Sequence, residues 1–441
     1  MFPNAAARLS YAVQTVLRHQ VKPKHIGCRC FATSSKADPP TVTAEHPLSG
    51  VRILDMTRII SGPYCTMILA DMGAEVIKIE RPFYGGDEAR KWGPPFLSQS
   101  KDATYFLAVN RNKKSAAIDL KRGKDIIYEL AKKCDVLVEN YVPGKLAEYG
   151  LGYEQVRKVA PQLIYCSMTG YGSVGPYAKR PGYDVIASSM SGLVHITGQP
   201  DGPPCKVGTA VTDIATGLYA HGAILAALLQ RQRTGHGQKI DVDLLSTGVS
   251  LLINVASNYL NAGIEAHRWG TAHSSIVPYQ SFKTADGYLT LGTGSDDQFR
   301  ELCRLLQITD IADNAKFKTN KDRVSNRNEL IALLENILAK KSSKDWMETF
   351  EGASFPVGPV NNIREVFEDE HIQSIGLVKT LQHPCDGSIK VVGPPVAYSE
   401  SKNDARTAPP MMGQHTDEVL SELLGFSAKE IADLRGKRVI E

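Results

Sequence analysis

Asp213 is the residue whose type and setting most directly suggest chemistry. It stands in Gly208-Thr209-Ala210-Val211-Thr212-Asp213-Ile214-Ala215-Thr216-Gly217, where an apolar helix is expected to begin. An Asp in a first helical turn is favoured by capping and the helix dipole alone. The same setting suits a nucleophile. The dipole would keep the carboxylate ionised, small neighbours leave room for a substrate, and nearby backbone N–H groups can stabilise an oxyanion. On these residues alone both readings stand. A second run, Gly170-Tyr171-Gly172-Ser173-Val174-Gly175, matches the G-x-G-x-x-G dinucleotide fingerprint and follows a predicted strand. That fingerprint requires a helix to open on it. Pro176 and Pro181 follow instead, with no helical period before Tyr183. A glycine-rich ligand loop is expected there, not an NAD or FAD site. The chain has no Walker A loop, no H-E-x-x-H and no G-x-S-x-G, and its eleven His residues form no pair at a metal-ligand spacing. A P-loop NTPase, a zinc protease and an α/β-hydrolase are therefore unsupported.

The elements that must position these residues read as an α/β fold. Strands are predicted at 51–56, 76–80, 116–120, 136–139 and 163–167, with helices at 63–73 and 124–134 between them. Alternation of this kind implies a parallel sheet covered by helices on both faces, with ligands at the carboxyl ends of the strands. Asp213 to Gln230 reads as a buried helix and Leu244 to Leu260 as one long amphipathic helix. A hairpin over 281–291 turns at Asp286-Gly287, and Ser295 with Gln298 suggests a capping box. Helices follow near 326–341 and 344–351. The division expected is a large α/β domain starting over 45–265, a smaller α+β domain over 275–372, and a return over 373–441 ending in a short helix.

At 441 residues and 42% hydrophobic, the chain is long enough for more than one domain. No apolar run approaches the ~18 residues of a membrane span. Residues 1–37 hold six Lys/Arg and no Asp or Glu. Taking those six from 51 leaves 45 basic against 47 acidic residues, so the body is no basic nucleic-acid surface. The acid-free leader ends in Cys30-Phe31-Ala32-Thr33-Ser34-Ser35 and has no continuous apolar core, the composition of a mitochondrial transit peptide over 1–36 and of a matrix protein. Cys65, Cys134, Cys166, Cys205, Cys303 and Cys385 are scattered without a C-x-x-C pair, which fits a reducing compartment and argues against a structural zinc.

Several stretches jointly resemble the family III CoA-transferases, the superfamily of formyl-CoA transferase, carnitine CoA-transferase and α-methylacyl-CoA racemase. They are Leu54 to Pro63, Gly73 to Pro82, Asn110 to Lys121, Val138 to Gly144, Gly182-Tyr183-Asp184, Thr212 to Gly217 and Arg233 to Gln238, in the family's order across about 48–440. The resemblance implies a Rossmann-like large domain formed by both chain ends, a smaller α+β domain, and a homodimer of interlocked subunits. It implies that Asp213 is the nucleophile, carrying CoA as an aspartyl thioester. Substrates are then acyl-CoA esters and dicarboxylates, with CoA passing from succinyl-CoA to an acceptor such as glutarate or hydroxymethylglutarate. No tightly bound cofactor, metal, nucleic-acid partner or membrane span is implied. By the same resemblance Ile59, Ile60, Arg81, Ile118, Lys121, Asn140, Tyr141, Arg180 and Tyr183 contact CoA.

Two departures from the family pattern stand out. The flexible tetraglycine loop of formyl-CoA transferases corresponds here to Arg268-Trp269-Gly270-Thr271-Ala272-His273-Ser274-Ser275, and a phosphate-binding Arg of those enzymes is replaced by Glu148. One rival function is an acyl-CoA racemase. Such enzymes have Gly-His-Asp where this chain has Gly182-Tyr183-Asp184, and Tyr is a poor acid/base near neutral pH. The other rival is a non-catalytic CoA-binding protein, against which an intact Asp213 segment argues. A dicarboxylate also requires a cation for its distal carboxylate. Arg58, Arg111, Arg180 and His273 are the candidates, and the sequence does not choose among them.

Overall fold

The computed structural model describes residues 45–441, so the expected leader lies outside the described residues. Its central sheet has six strands: β1 (Arg52–Met56), β2 (Glu75–Glu80), β3 (Lys113–Ala117), β4 (Val136–Glu139), β5 (Ile164–Thr169) and β6 (Lys239–Asp243). All pairings are parallel, in the order β3-β2-β1-β4-β5-β6. The winding reverses between β1 and β4, which opens a crevice at their carboxyl ends.

Strand alternation sends successive residues to opposite faces, and both faces are apolar because both are covered. Ile53, Val76, Val136, Val138, Ile164 and Cys166 pack with Cys65 and Leu69 of the Ser61–Asp71 helix and Ala220, Ile224 and Leu228 of the Val211–Thr234 helix. Leu54, Ile77, Leu137 and Tyr165 face the other way, onto Ile127 and Leu130 of the Lys124–Lys133 helix. Val419, Leu420, Ile431 and Ile440 complete that second layer, so the C-terminal segment shares the core of the N-terminal strands. The Val211–Thr234 helix is long and apolar enough to cross a membrane by composition, but its Ala220, Ile224 and Leu228 belong to this core.

A separate core gathers around β7 (Tyr279–Lys283), β8 (Tyr288–Gly292) and β9 (Val357–Pro359), an antiparallel sheet. Phe282, Leu289 and Leu291 pack there on Phe299, Leu302, Leu330, Leu334 and Trp346. Beyond it β10 (Val378–His383) and β11 (Gly387–Val392) form a hairpin.

Several elements differ from the sequence reading. The third strand is Lys113–Ala117, not 116–120, because Lys113 points its ammonium into buried acceptors rather than ending the strand. Ile118 instead bridges to Ile440. The expected Leu244–Leu260 helix is two, Leu244–Ser250 and Ile253–Ala262, broken where Ile253 takes φ +39°, a value no α-helix holds. β6, β9 and the β10–β11 hairpin had no counterpart in the reading. Ser295 caps its helix by accepting from Gln298 N, but the Gln298 side chain accepts from Gly294 N, so only half a capping box forms.

Candidate active site

The loop leaving β1 crosses the crevice between β1 and β4. Arg58 N donates to Asn140 Oδ1 at 2.9 Å, and Asn140 Nδ2 donates to Arg58 O at 2.7 Å. This reciprocal pair ties the loop after β1 to the loop after β4. Ile59 follows with φ +72°, a left-handed conformation that is costly for a β-branched residue. Its N–H donates to Asp87 Oδ1 at 3.0 Å. At Gly62 an added Cβ would lie 2.4 Å from the Thr57 side chain, so only glycine lets this tight loop enter its helix.

Asp213 is brought to the loop by a close helix crossing. A Cβ at Gly217 would meet Ser61 O at 2.8 Å and Cys65 N at 3.3 Å. Glycine one turn beyond Asp213 therefore lets the Val211–Thr234 helix lie against the start of the Ser61–Asp71 helix. Gly170 and Gly182 pass equally close: a Cβ on either would come within 2.8 Å of the other's Cα. This contact accounts for the first glycine of the G-x-G-x-x-G match, and no helix begins before Asp184.

The helix start differs from expectation in its electrostatics. Ala210 provides no side-chain cap. Asp184 caps the helix instead, its Oδ1 accepting from Thr212 N at 2.8 Å and Asp213 N at 3.2 Å. Val211 N and Ile214 N go to Thr209 O and Ala210 O. The first-turn donors are thus occupied, and the expected oxyanion site at this helix start is not open. Nor does the dipole hold the Asp213 carboxyl at an ordinary value. Burial and then the Asp184 charge push it up to about 7, against a lowering hydrogen bond with Ser61. Tyr105 lies in the same field: burial, then Asp213 and Asp184, raise its phenol.

A cavity of about 180 Å³ opens on Asp213 and is also lined by Ile59, Ile60, Asn140, Tyr141, Arg180 and Tyr183. Seven of the ten sequence-predicted site residues therefore share one space. The other three, Arg81, Ile118 and Lys121, line a larger cavity of about 800 Å³ with Lys78, Arg122 and Lys145. Arg58, Tyr141 and Val142 line both, so the two cavities adjoin. Arg81 lies 3.7 Å over the Tyr84 ring, Lys121 is exposed, and Ile118 is fully buried. Sequence reasoning missed Lys145, which faces the larger cavity and pairs with Glu148 at 2.7 Å. A cation thus sits one helical turn before the position where formyl-CoA transferases have their Arg. The 268–275 loop is not at the Asp213 cavity. Arg327 donates to His273 O and Ser274 O, which pins that loop.

Beneath the crevice lies a buried charge cluster. Asp55 accepts from Thr57 and Thr66 and pairs with Lys113 at 3.0 Å. Lys78 donates to Thr57 O at 2.8 Å and stands 2.9 Å from Asp87 Oδ2, an ion pair off the hydrogen-bonding direction. Glu80 accepts from Asp87 N, Ser115 and the Arg90 guanidinium. Its carboxyl is held down at about 2, since the Arg90 charge and hydrogen bonds, with Lys78 and Ser115, outweigh burial.

The model of CoA-transferase family III matches residues 48–416. A mouse protein named succinyl-CoA:glutarate CoA-transferase is 53% identical over 397 residues, covering 90% of each chain. The human protein of that name is 51% identical with the same coverage. Among solved structures, a CAIB/BAIF family protein from Brucella suis is 39% identical with a TM-score of 0.79, covering 86% of this chain and 100% of its own.

Proposed function

The chain belongs to CoA-transferase family III, and from that premise we propose that it moves CoA from succinyl-CoA to glutarate or a close dicarboxylate through a thioester on Asp213. The observation that carries this reading is the Asp213 carboxylate facing a cavity lined by the loops after β1 and β4, beside a larger cavity rich in cations. CoA fits this pair as a nucleotide among Arg81, Lys121 and Lys145 with its thiol end near Asp213. Relatives named for succinyl-CoA and glutarate, in mouse, human and Agrobacterium fabrum, support the substrate pair.

The Asp213 carboxylate attacks the succinyl thioester carbonyl, and CoA leaves as thiolate, giving a mixed aspartyl-succinyl anhydride. The thiolate then attacks the Asp213 carbonyl, releasing succinate and leaving the aspartyl-CoA thioester. Glutarate carboxylate attacks that thioester and forms a second anhydride. The thiolate returns to its glutaryl carbonyl, which frees Asp213. Each step exchanges acyl groups, so the thioester energy is kept without ATP. The racemase reading requires a second acid/base beside Asp213, and no imidazole lines this cavity.

A second copy of this chain completes the proposal. Ile253, Tyr259, Leu260 and Ile264 are 56–79% exposed on and after one helix, and Tyr183, Ile186, Met190 and Tyr219, in or just before two other helices, are exposed as well. So much apolar surface favours a homodimer, interlocked as the resemblance implies. Matrix residence, with leader removal between Ala32 and Ala37, rests on the acid-free N-terminus; N-terminal sequencing of the cellular protein starting at Met1 would contradict it. The test of the activity is a panel of acyl-CoA donors against dicarboxylate acceptors, followed by mass spectrometry. Succinyl-CoA with glutarate should give glutaryl-CoA, with a CoA adduct on the Asp213 peptide; an adduct on Asp184 instead would refute the assignment.

A further inference from the structure

Building on that reading, we infer that Arg180 is the specificity cation, the group that binds the distal carboxylate of the dicarboxylate while its other end reacts at Asp213. A dicarboxylate brings a second negative charge into a confined site, and such a charge requires a fixed cation. Four residues are candidates by type, and the structure separates them.

Arg111 is committed elsewhere. Its Nε and Nη2 grip Asp71 at 2.9 and 2.6 Å, and its Nη1 donates to Val392 O. His273 stacks on Tyr279 at 5.5 Å and does not line the Asp213 cavity. Arg58 lines it, but its Nη1 donates to Glu88 at 2.9 Å and its guanidinium lies 4.4 Å over Tyr141. Arg58 also opens on the larger cavity, which places it on the path of the CoA chain rather than at the acyl end.

Arg180 differs on each count. It lines the Asp213 cavity and not the larger one. Among the described residues no carboxylate stands within ion-pairing distance of it, and no side-chain hydrogen bond occupies its fork. It is nonetheless placed: its guanidinium lies 4.1 Å over the Tyr177 ring, and its backbone N–H donates to Tyr177 O at 2.9 Å. A stacked guanidinium keeps its planar edge free for a bidentate carboxylate. Gly182, pressed against Gly170, anchors the chain two residues on, so the loop places the exposed Arg180 at the mouth of the cavity. Among the described residues, Arg58, Arg180 and Asp213 are the only charged ones lining this space, and Arg180 is the cation with no ion-pair partner. This assigns Arg180 to the acyl group in place of the CoA contact that the resemblance implies.

The test separates acyl recognition from CoA recognition. Arg180→Gln, Arg180→Lys and Arg58→Gln would each be assayed with succinyl-CoA against glutarate and against pentanoate, its analogue lacking the distal carboxylate. Binding of free CoA would be measured in parallel by calorimetry. Loss of one charged hydrogen bond should raise the KM for glutarate about tenfold or more in Arg180→Gln. The KM for pentanoate and the Kd of free CoA should stay within about twofold, so the preference for the dicarboxylate falls about tenfold. Arg180→Lys should recover part of that preference. An unchanged preference in Arg180→Gln overturns the assignment. So does an equal loss with both acceptors and with free CoA, or a shift found in Arg58→Gln instead. If the wild type moves no CoA from succinyl-CoA, the functional reading itself falls; if it does so and only the selectivity shift is missing, Arg180's role alone falls.

Discussion

Asp213 and Asp55 are both desolvated aspartates near the carboxyl ends of the same sheet, and their surroundings drive them apart. Burial alone raises either carboxyl. At Asp55, Lys113 and Lys78, with hydrogen bonds from Thr57 and Thr66, overcome burial and hold the group down at about 2. At Asp213 burial is joined by the charge of another carboxylate, Asp184, and only Ser61 favours the ionised form, so the group rises to about 7. The contrast separates a locked charge from an available one. Asp55 is fully satisfied and shapes the loop above it. Asp213 is under-satisfied and faces a cavity. Perturbation toward neutrality at a cavity wall marks a reactive group.

The largest effect expected from this contrast is on chemistry. Asp213→Asn keeps the shape but removes the oxygen proposed to attack, and should lower transfer on the order of a thousandfold or more. Its effect on stability should have the opposite sign to that of most buried substitutions. The folded Asp213 carboxyl titrates above its unfolded value, so ionising it costs the fold stability as pH rises toward and past about 7. The melting temperature of Asp213→Asn relative to wild type should therefore be higher at pH 8 than at pH 5. Near-normal turnover, or no change in that difference with pH, would break the comparison.

Asp55→Asn should do the reverse. It leaves Lys113 and Lys78 without their buried counter-charge and should cost about 3–5 kcal/mol by denaturant unfolding. The Asp55 contribution is present at neutral pH and is lost only as pH falls below about 4 toward 2.

Asp87 links the two regions. Its Oδ1 takes the N–H of the left-handed Ile59, and its Oδ2 faces Lys78. Releasing that grip should let the loop relax away from its strained form. Asp87→Asn is expected to raise the KM for acyl-CoA by about tenfold with a smaller change in kcat, the price of one charged hydrogen bond. A drop in kcat alone would mean that the loop acts on the reaction and not on binding.

Part of this contrast was legible in the sequence. β1, β2, β4 and β5 were readable because their apolar residues alternate onto two covered faces. β6 was not, because Lys239-Ile240-Asp241-Val242-Asp243 is an edge strand with three charged residues. The shifted β3 shows the same limit: Lys113 reads as a strand end until its buried partners are known. The Asp213 segment was legible as a helix start with a carboxylate, while its electrostatics were not. The residue that caps the helix and raises Asp213 lies 29 positions earlier, and the hold of Asp87 on Ile59 spans 28. Such pairings depend on tertiary approach, which glycines such as Gly217 and Gly170 permit without naming the partner.

The smallest effect predicted is also the most discriminating about Asp184. Its carboxylate does two things: it accepts the N–H groups of Thr212 and Asp213, and its charge raises Asp213. Asp184→Asn keeps an amide oxygen able to accept those bonds, so the helix start should hold and stability should change by no more than about 1 kcal/mol. The charge is gone, and with it one of the two causes that raise Asp213. In the proposed mechanism the attacking form is the carboxylate, so kcat/KM in the wild type should rise with pH through about 7. In Asp184→Asn that limb should move to lower pH, leaving the plateau at high pH nearly unchanged. Burial remains, so the limb should stay above the range of an ordinary aspartate. A variant with an unmoved limb would mean that burial alone sets the Asp213 carboxyl, and one with a collapsed plateau would mean that Asp184 takes part in the reaction beyond holding the helix.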